Sequence, residues 1–121
     1  MDKLEFQTRR ENVFKHLKDK SVLFISGAEE CIRNSDCHFE FRQDSDFFYL
    51  TGFEEPKAFL VLIKNGLDRK FILFNRDNNF KEELWEGVRA GLKGAVLEYS
   101  ADDAYDISVL SEKMTDILSN M

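Results

Sequence analysis

An aromatic run interrupted by charge, FEFRQDSDFFYLTGF at residues 39–53, lies near the middle of the chain. Its stretch FFYL at residues 47–50 is apolar at every position, and a strand of that composition has to be buried on both faces. The preceding polar block, residues 42–46, resists burial because an unpaired charge inside a core is costly. We therefore expect a loop or short helix over residues 42–46, a central strand over residues 47–50 and a turn at Thr51-Gly52.

The composition is typical of one globular domain. The chain has 121 residues, of which 43% are hydrophobic and 33% charged, and its twelve phenylalanines predict a large aromatic core. No apolar run approaches the ~20 residues that span a bilayer, and the N-terminus lacks a secretory signal pattern, so no membrane partner is expected. The net charge of −6 disfavours nucleic acid, because phosphate binding needs clustered Lys and Arg.

The cysteines and histidines do not form a recognisable catalytic or metal-binding set. Cys31 and Cys37 are too few for a disulfide framework and lack zinc-type pairing, which indicates a reduced, cytoplasmic protein. A reactive Cys37–His38 pair is disfavoured because sequence neighbours seldom face each other. His16 and His38 are the only histidines, and a metal centre needs several ligands that converge. The sequence also lacks a nucleophile elbow and a phosphate-binding glycine loop.

The hydrophobic pattern predicts a layered α/β domain. Helices are expected at residues 3–18, at residues 80–85 after the polar loop 75–79, and from residue 100 to the end of the chain. Further strands are expected at residues 21–26, 58–63, 70–74 and 95–99, with a hairpin connection at 64–68. The strands at 47–50, 58–63 and 70–74 would form an antiparallel meander, and residues 28–38 a surface loop. This order favours a mixed, largely antiparallel sheet flanked by helices.

Two sequence features are the strongest candidates for a functional role, namely the loop at residues 33–36 and Trp85. The loop at residues 33–36, RNSD, is polar enough to lie beside a pocket, although Asn, Ser and Asp also favour plain turns. Trp85 is the single tryptophan, and Gly87 and Arg89 follow it. Tryptophan is enriched at interface hot spots, although a lone tryptophan can simply be packed. These patterns by themselves describe an α/β domain without an assigned activity.

A series of short motifs covers almost the whole chain. They are RR at residues 9–10, SG at 26–27, RNSD at 33–36, RQDSDFFYLTGFEEP at 42–56 after Phe41, FLVLI at 59–63, LFNRD at 73–77 and LWEGVRAG at 84–91. In this order they make the chain resemble the N-terminal domain of Xaa-Pro aminopeptidase (aminopeptidase P), of the creatinase/prolidase superfamily. Prolidase and creatinase share the domain shape but match the 42–56 run less closely.

The resemblance implies a fold and a parent enzyme. Residues 1–121 would form a three-layer, ribonuclease-H-like α/β domain without nuclease activity. The full-length enzyme would remove an N-terminal residue that precedes proline, using two divalent metal ions, usually manganese. Those ions belong to a C-terminal pita-bread domain outside this chain. The chain by itself would therefore be catalytically inactive and hold no cofactor.

The resemblance also implies roles for particular residues. Trp85 would reach the active site of a neighbouring subunit in a homo-oligomer, and Asp36 would lie near the substrate-binding network. Arg42 would be a structural residue or part of the active-site wall. The implied partners are the protein's own catalytic domain, neighbouring subunits and peptide substrates with proline in second position. Phe47, Phe48 and Phe53 are expected in the core.

Two alternatives stay open at this point. Domains of this superfamily also serve as non-catalytic binding modules, and the acidic surface could accommodate a basic protein partner. An enzyme acting on a non-peptide substrate, as creatinase does, is the other alternative. The close match of the 42–56 run argues against this last reading.

Overall fold

A mixed four-stranded sheet lies at the centre of the computed structural model, which describes residues 3–29 and 42–120. The strands are β1 Ser21–Ser26, β2 Phe59–Asn65, β3 Asp68–Asn75 and β4 Asp103–Asp106. They are ordered β1-β2-β3-β4; β2 pairs antiparallel with both β1 and β3, and β4 pairs parallel with β3. The helices are α1 Lys3–His16, α2 Ser45–Thr51, α3 Phe80–Glu86, α4 Gly91–Tyr99 and α5 Leu110–Ser119, with a 3-10 turn at Ile107–Val109 before α5.

Helices cover both faces of the sheet, because the two inner strands alternate apolar side chains between the faces. The buried residues of the first face are Leu60, Leu62, Phe71 and Leu73. Phe14 of α1, Phe47 of α2 and Ala95 of α4 pack on that face. The buried residues of the second face are Val61, Ile72 and Phe74. Met114 and Ile117 of α5 pack on them, so the predicted mixed sheet with flanking helices is confirmed.

Most predicted elements occur where the sequence placed them. The first helix ends at His16, two residues earlier than expected, and β1 has the predicted bounds. The hairpin of β2 and β3 turns at Gly66, whose φ is +63°. The helix after the polar loop is α3, with Asn79 as its N-cap. The last helix is α5.

The strand expected at residues 47–50 is wrong, because this segment forms α2. The Asp44 side chain accepts a hydrogen bond from the Phe47 N–H (3.0 Å), and Gly52 ends the helix in the left-handed conformation. The helix turns Phe47 and Leu50 into the core and leaves Tyr49 exposed, so the apolar run is buried on one side only. The antiparallel meander therefore consists of β1, β2 and β3.

The elements expected at residues 95–103 are also wrong. Residues 95–99 belong to helix α4, which buries Gly91 and Ala95 at helical spacing and exposes Val96 and Leu97. The segment 100–103 was expected to cap a helix, but it enters the sheet instead. The Asp102 carboxylate accepts from the Phe71 N–H (2.7 Å), and the Asp102 N–H donates to the Phe71 carbonyl (2.8 Å). These bonds lead the chain into β4.

Some predictions fall outside the described residues. These are most of the loop at 28–38, with the RNSD motif, Asp36, His38 and both cysteines, and the last residue of the chain. Among the residues that are described, no helix combines the length and the apolar character needed to cross a bilayer.

Candidate functional site

The structure separates the candidate site residues. Trp85 lies on α3 with 91% of its surface exposed. Arg42 is exposed just before α2, at the edge of a groove of about 380 Å³. Asp36 lies outside the described residues, so the structure does not test its role. Within the described part of the chain, no hydrogen bond or ion pair joins Arg42 to Trp85.

The groove beside Arg42 lies between α1 and α2. Its lining residues are Arg9, Arg42, Gln43, Ser45, Phe48, Tyr49 and Glu54. The Arg9 guanidinium lies 4.3 Å from the centre of the Tyr49 ring and donates to the Tyr49 carbonyl. Gln43 is a structural residue: its amide donates to the Phe53 and Glu55 carbonyls and accepts from the Ala28 N–H. One wall of the groove is therefore fixed by the motif at residues 42–56.

The paired arginines of the RR motif fasten α1 to the end of α2. Arg9 donates to the Tyr49 carbonyl (3.1 Å) and Arg10 to the Leu50 carbonyl (2.8 Å). Arg10 is buried, with its guanidinium 4.2 Å from the centre of the Phe71 ring. Burial lowers the pKa of Arg10 to about 10. The RR motif is therefore structural.

Helix α3 presents a large apolar surface. The exposed fractions are 78% for Phe80, 67% for Leu84 and 91% for both Trp85 and Val88. No residue of α3 is buried, and neither apolar core includes an α3 side chain. Val88 lies two residues after the end of the helix, and we call the four residues together the α3 face. Exposed apolar groups gathered on one element mark an interaction surface more often than scattered ones do.

Arg89 lies against the acidic side of α3. Its guanidinium is 2.7 Å from the Glu82 carboxylate and 3.0 Å from that of Glu86, and it donates to the Asp77 carbonyl (3.2 Å). The Arg89 side chain is only 6% exposed, whereas the two carboxylates are about half exposed. Arg76 adds a second contact to Glu86 at 3.2 Å.

Glu83 and Asn78 complete the attachment of α3. The Glu83 carboxylate accepts from the backbone N–H groups of Arg89 (2.7 Å) and Asn79 (2.9 Å) and from the Asn78 amide (3.2 Å). The hydrogen bond from the Arg89 backbone is the main cause that lowers the pKa of Glu83. Asn78 also donates to the Arg89 carbonyl.

The LWEGVRAG motif has glycine at positions 87 and 91, and each position requires glycine for a different physical reason. Gly87 has φ +102° and ψ 166°, a conformation that is essentially restricted to glycine, and it turns the chain so that Arg89 returns beneath α3. Gly91 has φ +74°, and a Cβ there would lie 2.0 Å from the Asn78 amide oxygen. The first glycine therefore makes the turn, and the second makes room for Asn78.

Glu55 connects the two long motifs. Its carboxylate accepts from the Ala90 N–H (2.8 Å) and lies 4.0 Å from the Arg76 guanidinium. Burial raises the pKa of Glu55, and the Ala90 hydrogen bond, Arg76 and Arg89 oppose this effect. The segment after α2 and the segment after α3 are thus joined at one largely buried carboxylate.

The described residues do not fit a metal centre. In residues 3–29 and 42–120, no three His, Cys, Asp or Glu side chains converge in a way that could hold a metal ion. The carboxylates around α3 are engaged with arginine and backbone donors instead. This site can present an apolar surface and hold it in place.

Comparison with known proteins settles the family. The family model for the aminopeptidase P N-terminal domain matches residues 6–121. This chain belongs to that family. The Xaa-Pro aminopeptidase of Haemophilus influenzae is 39% identical over the whole chain, and that of Escherichia coli is 36% identical over 97% of it. The chain spans 28% and 27% of the lengths of these two relatives.

Solved structures agree with the family assignment. Aminopeptidase P from E. coli in its low-pH form superimposes with a TM-score of 0.91 at 35% identity, over 98% of this chain and 27% of that one. Pseudomonas aeruginosa aminopeptidase PepP gives a TM-score of 0.89 at 38% identity, over 97% of this chain and 26% of that one. A zinc-substituted form of the E. coli enzyme in complex with product has the same likeness to this chain as the low-pH form.

In this aminopeptidase P N-terminal domain, the sequence pointed to Trp85 but not to what holds it. Glu82, Glu86 and Arg89 are three or four residues apart, a spacing that could have indicated ion pairs along a helix face. Glu55 carried no such signal, because its partner is a backbone N–H 35 residues away.

Proposed function

We propose that this chain is the non-catalytic N-terminal domain of a Xaa-Pro aminopeptidase, a dinuclear metallopeptidase that removes the N-terminal residue preceding proline. The similarity to Xaa-Pro aminopeptidases over the entire chain supports this proposal, and so does the likeness to aminopeptidase P structures. The catalytic domain would lie in the roughly three quarters of the relatives that this chain does not span.

The observation that carries the proposed role is the α3 face. In our proposal this face contacts a neighbouring subunit of a homo-oligomer, and Trp85 forms part of the wall of that subunit's active site. Its indole is exposed, and Arg89 holds Glu82 and Glu86 of the same helix, so the ring is available to a partner without refolding. A flat aromatic ring also suits contact with the ring of a substrate proline.

Arg42 and Asp36 receive secondary roles in the proposal. Arg42, with Arg9 and the Tyr49 ring nearby in the same groove, is assigned to a wall that faces the protein's own catalytic domain. Asp36 is assigned to the surroundings of the substrate's α-amino group, which a carboxylate would attract. Both assignments come from the family resemblance.

Catalysis is assigned to the remainder of the longer protein. Two divalent metal ions, manganese in our proposal, would be held there, because the described residues offer no ligand set. We also propose that the protein works in the cytoplasm on peptides with proline in second position. This chain would contribute contacts and shape, and no chemical step.

Extending the reading frame beyond residue 121 tests the proposal. The longer protein is assayed on a peptide with proline second, with and without manganese, and metal-dependent release of the first residue is expected. Trp85→Ala should lower kcat/KM about tenfold, which is about 1.4 kcal/mol, because a substrate-wall aromatic is lost. The assay reports kcat and KM separately.

Leu67→Ala is the matched control for Trp85→Ala. Leu67 is 96% exposed at the turn between β2 and β3, away from α3, and its loss should leave turnover unchanged. If Trp85→Ala also leaves turnover unchanged, the wall assignment is wrong. If the longer protein has no such activity, the alternative of a binding module for a protein partner gains weight, with the α3 face as its docking surface.

A further inference from the structure

Helix α3 is oriented almost entirely by polar contacts. Helix α3 buries no side chain and adds none to either apolar core, and seven residues are too few for a helix to be stable by itself. Its acidic residues, Glu82, Glu83 and Glu86, lie on one side of the helix, with Phe80 and Leu84 on the other. What holds the acidic side therefore determines the direction of the apolar side.

Arg89 is the group on which the acidic contacts converge. One amino group of its guanidinium lies within 3.0 Å of both the Glu82 and the Glu86 carboxylates, which are one helical turn apart. The other donates to the Asp77 carbonyl, which belongs to the loop after β3. The planar guanidinium thus ties two points of α3 to the framework of the sheet in a fixed geometry.

The burial of Arg89 argues that this arrangement is specific. Surface ion pairs between mobile side chains orient little, because both partners keep their freedom. Here the arginine is buried and its backbone N–H is held by Glu83, so only the carboxylate ends are exposed. Gly87 allows the return of the chain that places Arg89 in this position.

We propose that Arg89 is the positioning residue of Trp85: through Glu82 and Glu86 it fixes the orientation of α3 and thereby the direction in which the indole projects. The consequence for turnover rests on the proposed function, in which Trp85 lines an active site. The structural part of the inference does not depend on it. Arg89 itself touches no substrate in this proposal.

Time-resolved fluorescence anisotropy tests the structural part directly, because Trp85 is the single tryptophan of the chain. In Arg89→Met, the amplitude of the fast, local depolarisation of Trp85 should rise about twofold, since α3 loses the guanidinium contacts to Glu82 and Glu86 and keeps only the Arg76 contact and the Glu83 hydrogen bonds. Circular dichroism and the thermal midpoint should show that the two cores remain folded. An unchanged anisotropy decay in folded Arg89→Met would overturn the inference.

Two further variants keep the test decisive. Arg69→Met makes the same substitution at an arginine that donates to the Gly66 and Leu67 carbonyls, and it should leave the anisotropy decay unchanged. If Arg89→Met does not fold, the double variant Glu82→Gln/Glu86→Gln weakens the same contacts from their half-exposed ends. This double variant should also increase the fast component of the Trp85 anisotropy decay. An anisotropy decay equal to that of the wild type would contradict the inference.

A double-mutant cycle in the longer protein tests the consequence for turnover. Arg89→Met should lower kcat/KM about tenfold when Trp85 is present and less than about twofold in the Trp85→Ala background, because both changes act through one ring. Equal losses in both backgrounds would show that Arg89 does not act through Trp85. If Trp85→Ala has no effect on turnover while Arg89→Met still loosens the indole, the proposed wall role of Trp85 fails and the positioning role of Arg89 stands.

Discussion

Helices α2 and α3 have the same length and the same local design but different attachments. Each has seven residues, begins after an Asx side chain that caps it (Asp44 or Asn79), and ends at a glycine. Helix α2 buries Phe47, Leu50 and Thr51, whereas α3 buries nothing. The comparison teaches that local capping determines where a short helix begins and ends, while its surroundings determine what it does.

The different attachments correspond to different uses. The carbonyl groups of Tyr49 and Leu50 in α2 accept hydrogen bonds from Arg9 and Arg10. The apolar side of α2 packs in the main core. Arg89, three residues after the end of α3, contacts carboxylates of this helix instead, and the apolar residues of α3 stay uncovered. Among the large apolar residues of α2 only Tyr49 is strongly exposed, whereas the polar attachment of α3 leaves Phe80, Leu84 and Trp85 exposed. This is the physical reason for assigning function to α3.

The largest expected difference is in the free energy of unfolding when an apolar residue is removed from each of the two helices. Phe47→Ala removes a fully buried ring from α2 and should lower the free energy of unfolding by about 3–5 kcal/mol. Leu84→Ala, at a position of α3 that is 67% exposed, should change it by less than about 0.5 kcal/mol. Urea denaturation followed by circular dichroism measures both. A loss of several kcal/mol in Leu84→Ala would mean that α3 belongs to the core after all.

The glycines that end the two helices sharpen the comparison with a smaller effect. In Gly52→Ala, the left-handed φ of +72° costs about 1–2 kcal/mol, and the new Cβ would lie 2.8 Å from the Phe6 ring, so the free energy of unfolding should fall by more than that backbone cost. In Gly87→Ala no atom lies within 4 Å of the new Cβ, so only the backbone is strained. Because α3 carries no core contact, it can shift to relieve this strain.

Gly87→Ala should therefore lower the global free energy of unfolding by less than about 1 kcal/mol while it increases the local mobility of Trp85. Urea denaturation gives the first quantity and fluorescence anisotropy the second. The comparison fails if Gly87→Ala destabilises the protein as much as Gly52→Ala, or if the indole keeps its wild-type decay.

The errors of the sequence analysis follow from the same short elements. Residues 47–50 and 95–99 are runs of four and five residues in which only Glu98 is not apolar. Such runs are too short for periodicity to distinguish a strand from a helix. Asp44 and Gly52 were in place to indicate a capped helix, but the apolar run outweighed them. Helix α1 shows its period over a longer segment and was predicted to within two residues of its end, and β2 and β3 occur where strands were expected, whereas the last helix begins at Leu110 and not at residue 100.

The strand β4 was missed for a different reason. Its sequence DAYD has no apolar run, and it is a strand because Asp102 bonds to Phe71 and leads it alongside β3. A strand that depends on such long-range pairing need not show a strand pattern in its own sequence. The site shows the same limit: Trp85 was identified from its motif, whereas the Glu55–Ala90 contact exists only in the folded chain. Trp85 could be singled out from its local motif and its role stays a prediction, whereas the attachment between distant segments could not be predicted.

The smallest expected effect concerns two glutamates, Glu55 and Glu83, whose pKa values are shifted in opposite directions in the folded protein. Burial raises the pKa of Glu55, so the folded state binds its proton more tightly than the unfolded state does. Its contribution to stability is then complete below the ordinary pKa of glutamate and is lost as the pH rises through the folded value. The hydrogen bond from the Arg89 backbone lowers the pKa of Glu83, so its contribution is present above the ordinary value and is lost as the pH falls.

Glu55→Gln and Glu83→Gln separate these two contributions. The difference in the free energy of unfolding between wild type and each variant is measured by urea denaturation from pH 3 to pH 8. Relative to Glu55→Gln, the wild type should lose stability as the pH rises above about 4.3, the reference value for glutamate. Relative to Glu83→Gln, it should lose stability as the pH falls below about 4.3. Slopes of the same sign would contradict the assignment of Glu55 to a carboxylate whose burial outweighs Arg76, Arg89 and the Ala90 N–H.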